Sequence, residues 1–476
     1  MGPAIKRRLH LLCLLFAACS AAAQGPVYVV LWFDTEDYIE PAADDAALRL
    51  AQDLTALGVR ATFKLVGEKA RTLEARGRKD VLRALARHDI GYHSNFHSIP
   101  PAPAVYLREL GYLEGAAEFE RREAPGSKDL RRIFGLTPSC YGQPGSSWGP
   151  QSNPALRRMG IRTYLDEGSH VGVEDQPFWY GGLLYIFHMG RYVLRPSLND
   201  ESLLGETLQR FDQAVAELSR RGGGVISSYY HPTEFVTTEF WDGVNFARGA
   251  SPERSEWRRP RRRTPEDSER AFRVLKAYVE HARKTPGVHF LTARELFPLY
   301  EGSSTPSWTG KESRPAMARH MAENITFLVT EQGSFSAAEM LLALLGMPPR
   351  FVEGPLARRE TSYREESIPR PAFQRAQEDV VSFIRHHQRL PETAWIGSEK
   401  LSIGDFAATL AGDDGGAPMV RVRRGNLEME KYFATDPERA FRWVIHPEGF
   451  RAPELLEMAR LQGWTLKPAR LKWGQR

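Results

Sequence analysis

The sequence predicts an α/β protein, in which an irregular parallel (β/α) barrel precedes a smaller, mainly helical C-terminal region. Short apolar segments alternate with amphipathic ones over residues 25–300, as expected of parallel strands that alternate with helices. Polar residues directly follow several apolar segments, which is typical of the carboxyl ends of barrel strands. At 476 residues the chain is also longer than one ordinary domain.

The barrel prediction begins with an almost unbroken apolar run at 27–33, typical of a strand buried on both faces. This run ends in the acidic segment DTED. A helix is predicted around 44–57, because its leucines share one face and Gly58 can end it. The same reasoning predicts further strands at 61–67, 89–92, 161–165, 183–187, 225–230 and 288–291, and further helices at 80–87, 154–159, 206–220 and 265–283.

Two histidines, His93 and His97, lie in the segment HSNFH directly after the third predicted strand. Two imidazoles four residues apart can turn toward one point, and Ser94 between them can brace the backbone. The same spacing arises by accident on polar helix faces, so the metal prediction depends on the neighbouring residues. Acids end the first strand and His231 follows a late one. A carboxylate and two imidazoles make a three-ligand site with positions left for water, as in catalytic zinc-type centres.

These motifs resemble those of the polysaccharide deacetylases, the NodB-homology group or carbohydrate esterase family four, over residues 27–299. The segment FDTED approximates the aspartate motif of that family, which implies Asp34 as the general base. Some members space their two acids by one residue. This spacing implies Glu36 as the metal-binding carboxylate and keeps Asp37 as the alternative.

The second family motif, His-Ser/Thr-x-x-His, is matched in full by HSNFH, which implies His93 and His97 as metal ligands. The late Leu-x-His motif is approximated by Tyr-Tyr-His, which implies His231 as the general acid. The third motif, Arg-x-Pro, aligns with Gly-Gln-Pro at 142–144, so the arginine that usually orients the base is absent. Three alternatives stay open: another cation replaces it, the base is tuned differently, or the site is catalytically poor.

The resemblance implies metal-dependent hydrolysis of an N-acetyl (or O-acetyl) group on an extracytoplasmic polysaccharide or cell-wall glycan. The cofactor is a divalent metal, zinc by resemblance, with Asp34 taking a proton from water and His231 protonating the departing amine. We expect Tyr141 and Trp148, on either side of the third motif, to contact the substrate. The alternative is a catalytically impaired, deacetylase-like carbohydrate-binding protein, favoured by the absent arginine.

A serine hydrolase is a further alternative, because GSSWG at 145–149 fits the nucleophile pattern G-x-S-x-G. That motif needs a strand, a sharp turn and a helix. Two prolines follow GSSWG within five residues and do not suit this arrangement.

Residues 1–24 predict a signal peptide, with three basic residues before an apolar run and a cluster of alanines. The apolar run is too short to span a membrane, and no other segment predicts a transmembrane span. Cys19 lies in a segment that resembles a bacterial lipoprotein processing site, which makes a lipid anchor the alternative to release. The expected location is therefore outside the cytoplasm: periplasmic, secreted or lipid-anchored.

The overall charge gives no support to nucleic-acid binding. The formal charge of +5 falls to about +2 without the three basic residues of the signal segment. The run 258–263 holds five arginines in six residues, and it either contacts an anionic polymer or is a solvated loop. Cys140 is the one cysteine beyond residue 24, so no disulfide within the mature chain is expected.

The chain changes character after a Ser-, Thr-, Pro- and Gly-rich linker predicted at 301–318. The C-terminal region, 319–476, contains two segments in which a serine precedes an acid by three residues, Ser336 with Glu339 and Ser402 with Asp405. Each suits a capping box before a short helix, which predicts two diverged copies of a helical unit. A glycan-binding module and a structural or partner-binding appendage both remain open for this region.

Overall fold

The structure, a computed structural model, describes residues 25–301, 313–330 and 333–471. The predicted signal peptide, Cys19 and most of the predicted linker lie outside these residues. In the described parts of the chain, no helix has both the length and the apolar character needed to cross a membrane.

The N-terminal part alternates strands and helices, as predicted. It adds several elements to those predicted above, among them the longest helix of this part, α5. In chain order the elements are β1 (Val27–Thr35), α1 (Ala42–Ala56), β2 (Thr62–Leu65), α2 (Gly67–Ala75), α3 (Lys79–Leu85), β3 (Asp89–Tyr92), α4 (Pro103–Leu107), α5 (Tyr112–Phe134), β4 (Cys140–Tyr141), α6 (Ser152–Arg158), β5 (Thr163–Leu165), β6 (Phe178–Tyr180), β7 (Leu183–Ile186), α7 (Leu204–Arg220), β8 (Gly224–Tyr230), α8 (Trp241–Phe246), α9 (Pro265–Lys284), β9 (Val288–Phe290) and α10 (Ala293–Glu301).

The C-terminal part combines helices with short antiparallel strand pairs, so it is less purely helical than predicted. Its elements are α11 (Ser313–Glu323), β10 (Leu328–Thr330), β11 (Gly333–Phe335), α12 (Ala337–Leu344), β12 (Ser367–Pro369), α13 (Arg370–His387), β13 (Thr393–Ile396), β14 (Glu399–Ser402), α14 (Ile403–Ala411), β15 (Met419–Arg421), α15 (Pro437–Ala440), α16 (Pro453–Leu461) and β16 (Lys467–Pro468).

Ten strands form one curled sheet with the order β16-β6-β7-β5-β4-β3-β2-β1-β8, and β9 pairs with the first half of β1. The pairings are parallel except those of β6, which runs antiparallel to both β7 and β16. The path ends at β8 on one side and at β16 on the other, so the barrel is open. The predicted irregular parallel α/β barrel is thereby confirmed.

The alternation of side chains along β1 and β2 decides which residues point into the barrel. On β1, Val29, Leu31 and Phe33 pack against the surrounding helices, whereas Trp32 faces the barrel interior. On β2, Phe63 belongs to the helix-facing core. The next residue, Lys64, therefore faces the interior, where its ammonium lies 4.1 Å from the ring centre of Trp32.

The C-terminal part contains two kinds of packing. Residues between Met317 and Val420 form a core of their own. The later segment returns to the barrel, where Phe441, Leu455 and Leu466 belong to the main core, and β16 adds a strand to the edge of the sheet. The earlier segment thus has a core of its own, which Trp464 of the later segment joins, and its Glu353 binds Arg157 and Tyr112 of the N-terminal part.

A capped helix begins at each of the two places where the serine-acid motif occurs. Ser336 Oγ accepts the backbone N–H of Glu339, whose carboxylate accepts the N–H of Ser336 in return. Ser402 Oγ accepts the N–H of Asp405. A β-hairpin precedes each helix, β10–β11 before α12 and β13–β14 before α14. Each of the two capped helices thus follows a pair of antiparallel strands, and that they are diverged copies of one unit stays a prediction.

Candidate active site

A cavity of about 590 Å³ opens at the carboxyl ends of the barrel strands. Most of the residues that the sequence predicts for metal binding and catalysis line it together: Asp34, Glu36, His93, His97 and His231. They arrive from β1, from the segment after β3 and from the end of β8. The parallel arrangement of these strands brings their carboxyl ends to one edge, which is why residues far apart in the chain meet.

Glu36, His93 and His97 form a compact cluster in which one ligand atom of each lies within 4.8 Å of the others. The Oε2 atom of Glu36 lies 3.3 Å from His93 Nε2 and 2.9 Å from His97 Nε2. The loop between the two histidines turns sharply, with positive φ angles of 65° at Ser94 and 59° at His97. Ser94 Oγ accepts the backbone N–H of His97 at 2.9 Å, so this serine braces the turn.

Neighbouring groups orient all three side chains of the cluster. His93 Nδ1 lies 3.0 Å from the carbonyl oxygen of Gly142, which fixes Nδ1 as the protonated nitrogen and leaves Nε2 free as a ligand. His97 Nδ1 lies 2.6 Å from Ser98 Oγ. The indole N–H of Trp241 donates to Oε1 of Glu36 at 3.0 Å. Such outer hydrogen bonds are typical of metal ligands.

The donor set of this cluster fits a divalent cation. Two imidazole nitrogens and a carboxylate oxygen are ligands that zinc and other divalent transition metals bind. The three side chains are buried, so water screens the charges among them poorly. Burial raises the pKa of Glu36, but the charges of His97 and His231 lower it more, so the net pKa lies well below its usual range. Glu36 is therefore ionised, as a metal-binding carboxylate has to be.

Asp37, the alternative metal ligand, lies outside this cluster. Its Oδ1 atom accepts the backbone N–H groups of Ile39 and Glu40, each at 2.9 Å. Its Oδ2 atom accepts the hydroxyl of Thr233 at 2.9 Å. These contacts tie the end of β1 to the turn after β8, so the position of Asp37 is structural.

Asp34, the predicted base, forms an ion pair with a cation that the sequence motifs do not indicate. Lys64 Nζ lies 2.8 Å from Asp34 Oδ1 and 2.7 Å from Asp166 Oδ2. The same nitrogen donates to the carbonyl oxygen of Leu165 at 2.8 Å. The parallel register of β1 and β2 places Asp34 directly beside Lys64, which explains the contact.

The charge states of Lys64 and Asp166 depend on their contact with each other. Burial lowers the pKa of Lys64, but Asp166 and Asp34 raise it more, so the net pKa lies above its usual value and the ammonium stays charged. Burial raises the pKa of Asp166 to about 7 even though Lys64 opposes it. One buried cation therefore serves two carboxylates, in the place where the third family motif lacks its arginine.

The absence of a side chain at Gly142 makes room for this lysine. Gly142 stands at the aligned position of the missing arginine, directly after β4. Its carbonyl holds His93, and its Cα faces the Lys64–Asp166 pair. A lone lysine inside a four-residue buried strand was the sequence signal for this arrangement, since buried lysines need partners.

His231, the predicted acid, lies on the opposite side of Asp34 from the cluster. Its Nε2 atom is 3.6 Å from Asp34 Oδ2, and its Nδ1 atom is 2.6 Å from Glu234 Oε1. Arg195 holds the other oxygen of Glu234 at 2.5 Å. Burial lowers the pKa of His231, but the surrounding carboxylates outweigh burial and raise it to about 9. The imidazole is therefore protonated at neutral pH.

The two predicted substrate contacts, Tyr141 and Trp148, do not line the cavity, and both side chains are fully buried. Alternation on β4 explains the first case, because Cys140 faces the barrel interior and Tyr141 faces the helices. Trp148 stacks behind His170, with ring centres 5.0 Å apart, and His170 lines the cavity instead. Ser147 of the GSSWG segment is also buried, with its Oγ accepting the N–H of Ala104.

The other wall of the cavity comes from the C-terminal part, which the sequence does not predict. We call residues 439–444 the C-terminal wall. Five of these six residues line the cavity: Arg439, Ala440, Arg442, Trp443 and Val444. The ring of Trp443 meets His97 edge to face, with centres 5.2 Å apart. The C-terminal region therefore takes part in the candidate site.

No family model matches the sequence, and no curated protein matches it either. Solved structures do match. A putative polysaccharide deacetylase from Mycobacterium smegmatis is 15% identical and has a TM-score of 0.35, with 56% of this chain and 86% of that chain covered. The peptidoglycan deacetylase PdaC from Bacillus subtilis, as a mutant, is 12% identical with a TM-score of 0.29, with 58% of this chain and 94% of that chain covered.

A CE4-family pseudoenzyme from Bacillus anthracis is also similar, at 12% identity and a TM-score of 0.29, with 56% of this chain and 65% of that chain covered. The family that the sequence motifs resemble is thus also the family of these structures. Because the TM-scores lie below 0.5, the chemistry of this chain has to be derived from its own site.

Proposed function

We propose that the protein is a metal-dependent hydrolase that removes an N-acetyl (or O-acetyl) group from an extracytoplasmic polysaccharide or cell-wall glycan. The observation that carries this proposal is the position of Asp34 between the ligand cluster and the acid. Its Oδ1 atom lies 3.5 Å from His93 Nδ1, and its Oδ2 atom lies 3.6 Å from His231 Nε2. A base, an acid and a metal-ligand set thus share one cavity.

Glu36, His93 and His97 are the residues that would hold a divalent ion, with zinc as the first candidate. Such an ion, when bound, polarises the acetyl carbonyl and lowers the pKa of water. Two imidazoles and one carboxylate leave further coordination positions open, as a catalytic site requires. The same donor set also suits other divalent ions.

Asp34 has one oxygen available for proton transfer. Its Oδ1 atom is paired with Lys64, whereas Oδ2 faces the cavity on the side of His231. In the proposed reaction Oδ2 takes a proton from the attacking water, whose oxygen bonds to the acetyl carbon. Lys64 holds the carboxylate of Asp34 in one orientation, because the ammonium lies on its other oxygen.

His231 supplies the second proton. Its Nδ1 is engaged by Glu234, so Nε2 carries the proton that faces the cavity. As the bond between the acetyl carbon and nitrogen breaks, His231 protonates the departing amine, and acetate and a free amino sugar are the products. No covalent intermediate with the protein is needed.

The location and the substrate class belong to the same proposal. The predicted signal segment supports an exported protein that is periplasmic, secreted or anchored through Cys19. Acetylated glycans are abundant substrates outside the cytoplasm. The open cavity at the barrel edge suits a polymer better than a small metabolite, because it is not closed over the ligand cluster.

The second candidate is a carbohydrate-binding protein with impaired catalysis. Its main support was the absent arginine, and Lys64 weakens that support because it supplies a cation to Asp34. The serine-hydrolase alternative is disfavoured by the burial of Ser147, whose hydroxyl accepts a backbone N–H from Ala104.

The test combines metal analysis with acetate release from acetylated glycans. The purified protein is expected to hold about one divalent ion, to release acetate, to lose activity on chelation and to regain it with zinc. His93→Ala is expected to lose both metal and activity. His386→Ala, on the exposed face of α13, is the matched control and is expected to keep both. Full acetate release by metal-free protein would contradict the mechanism, and sugar binding without release by the metal-loaded protein would favour the second candidate.

A further inference from the structure

The C-terminal wall presents two arginines to the cavity. Arg439 and Arg442 both line it and are exposed. In the described part of the chain, neither guanidinium has an oxygen within hydrogen-bond or ion-pair distance. By contrast, Arg451 and Arg460, which are close by in the chain, pair with Glu438 and Glu457 at 2.7 Å and 2.6 Å. The two cavity-facing guanidiniums are therefore available to a ligand.

The wall is held firmly in place. Trp443 donates its backbone N–H to Ser146 Oγ and its indole N–H to Asp242 Oδ2, each at 3.0 Å. The carbonyl oxygen of Val444 accepts the N–H of Arg248 at 2.9 Å. These contacts reach two separate loops of the barrel, so the backbone that carries both arginines has a fixed position at the cavity.

The acids of the cavity floor do not explain the two arginines. Asp34 and Asp166 share Lys64, and Glu36 contacts two imidazoles. Asp242 accepts the indole N–H of Trp443. Each of these carboxylates has its own partner. Glu167, the remaining acid that lines the cavity, has its pKa raised to about 8 by burial and is mostly neutral near pH 7, so the guanidiniums are not needed to neutralise the floor.

A groove continues from the cavity toward the arginine-rich run 258–263. It shares Phe240 and Val444 with the cavity, and these apolar side chains are 41% and 51% exposed. Arg258 and Arg259 also line it, together with two acids, Glu239 and Asp242, whose carboxylates accept N–H groups of Arg261 and Trp443. An apolar saddle between two pairs of arginines suits an extended sugar chain with charged substituents.

The remaining arginines of that run serve the fold. Arg261 donates to Thr238, Arg262 pairs with Glu40 at 2.6 Å, and Arg263 donates to the carbonyl oxygen of Glu234. Arg258 lines the groove and also donates to the carbonyl oxygen of Val244 at 3.1 Å. Within the described residues, Arg259 is therefore the arginine of this run whose guanidinium has no hydrogen-bonded or ion-paired partner.

We propose that Arg439 and Arg442 bind an oxyanion, a carboxylate or a phosphate, on a sugar next to the acetylated one, so that the substrate is an anionic glycan. This inference rests on the proposed function for the position of the acetyl group. Guanidinium groups recognise such oxyanions with paired hydrogen bonds, and Lys does not replace them in this role. Arg258 and Arg259 extend the same preference to sugars farther along the chain.

The test uses three short N-acetylated oligosaccharides with one backbone: one with carboxylates, one with the carboxylates reduced to alcohols and one with phosphate esters. The metal-loaded protein is expected to show a KM about tenfold lower for a charged oligosaccharide than for the reduced one, with a similar kcat. The comparison of carboxylate with phosphate identifies the group that is bound. Arg439→Gln/Arg442→Gln is expected to remove the preference, so that the ratio of the KM values for the charged and the reduced oligosaccharide falls to about one.

Arg421→Gln, an exposed arginine on β15 away from the cavity, is the matched control and is expected to keep the preference. Binding of the same oligosaccharides without acetyl groups, measured by calorimetry, tests the arginines independently of turnover. A charge preference in binding without acetate release from any acetylated form supports this inference and contradicts the proposed function. Equal KM values for charged and reduced oligosaccharides, or a preference that persists in the double variant, would overturn the inference.

Discussion

The ammonium of Lys64 occupies the space that a side chain at position 142 would need. A Cβ atom added to Gly142 would lie 2.1 Å from Lys64 Nζ and 2.2 Å from Asp166 Oδ2, closer than non-bonded atoms approach. The cation beside Asp34 therefore comes from β2, and position 142 is left without a side chain to admit it. The two positions are expected to depend on each other.

Replacing Lys64 with methionine is expected to reduce kcat by about 100-fold or more, because the base loses the cation that holds its carboxylate in one orientation. Asp34 and Asp166 would then face each other without a cation, which raises the pKa of a carboxylate. The acid limb of the pH profile of kcat/KM is therefore expected to move to higher pH. Steady-state kinetics across pH on the metal-loaded protein measures both effects.

Lys467→Met is the matched control for this change. Lys467 is also a buried lysine in an ion pair, 2.8 Å from Glu339, but it lies away from the cavity. Both variants are expected to lose stability by roughly 3–5 kcal/mol, the cost of breaking a buried ion pair. Only the Lys64 variant is expected to move the acid limb, and an equal movement in both would contradict the role of Lys64.

Moving the cation from position 64 to position 142 tests whether the two positions depend on each other. Gly142→Arg alone is expected to lower Tm and activity, since its side chain collides with Lys64. In Lys64→Ala/Gly142→Arg the collision with the ammonium is removed. Asp166, which has then lost its lysine partner, has to turn away from the added Cβ atom, and the guanidinium can approach Asp34 from the motif position. This double variant is expected to recover about tenfold in kcat over Lys64→Ala, a coupling that independent positions do not show. Additive losses would refute the dependence.

A metal-binding experiment is expected to show which of the two candidate carboxylates, Glu36 or Asp37, binds the metal. Glu36→Gln removes the oxygen that lies between His93 and His97, so metal content is expected to fall to background. Asp37→Asn is expected to keep its metal and to lose about 1–3 kcal/mol of stability, because the hydrogen bonds of Asp37 tie two loops together. Metal content by atomic emission and unfolding by denaturant measure the two effects. The opposite pattern would make Asp37 the ligand.

The parts of the site that lie on short contiguous segments could be predicted from the sequence. An apolar run that ends in acids predicts a buried strand with its acids at the carboxyl end, and β1 places Asp34 and Glu36 there. HSNFH predicts two imidazoles that face one point, and the braced turn at Ser94 brings them to Glu36. In both cases the local chain geometry determines the contact.

The parts of the site that depend on packing between distant segments could not be predicted from the sequence. Lys64 meets Asp34 only through the register of two strands, and Trp443 reaches His97 from nearly the other end of the chain. Tyr141 directly precedes the third family motif in the sequence, yet the alternation of side chains along β4 turns it toward the helices. Proximity in sequence to a motif is thus a poor guide to which side chains line a cavity.

The pH at which His231, the proposed acid, loses its proton is expected to depend on Glu234. The negative charge of Glu234 helps to raise the pKa of His231 to about 9, although burial opposes it. A divalent ion on Glu36 cancels part of that shift, so the alkaline limb of the loaded enzyme is expected below pH 9. Glu234→Gln removes a negative partner of the imidazolium, which lowers its pKa. His231 then loses its proton at lower pH, so the alkaline limb of kcat/KM is expected to shift to lower pH.

Glu438→Gln serves as the control for Glu234→Gln, because its carboxylate is exposed and pairs with Arg451 rather than with His231. It is expected to leave the alkaline limb in place. An unchanged limb in Glu234→Gln would show that another group supplies the second proton.

The C-terminal region is expected to be required for both folding and activity. A chain that ends at residue 301 would lose β16 from the sheet edge and would expose the barrel residues that Phe441, Leu455 and Leu466 cover. Each of these large apolar side chains contributes roughly 2–5 kcal/mol when buried, so their combined loss exceeds about 5 kcal/mol, a typical stability for a whole domain. Unfolding curves and acetate release measure the effect.

Trp443→Ala separates the contribution to activity from the contribution to folding, because it removes the ring beside His97 and leaves these core residues in place. We expect Trp443→Ala to raise KM with a small change in Tm, whereas a stable, fully active truncated chain would mean that the C-terminal region is a separate appendage.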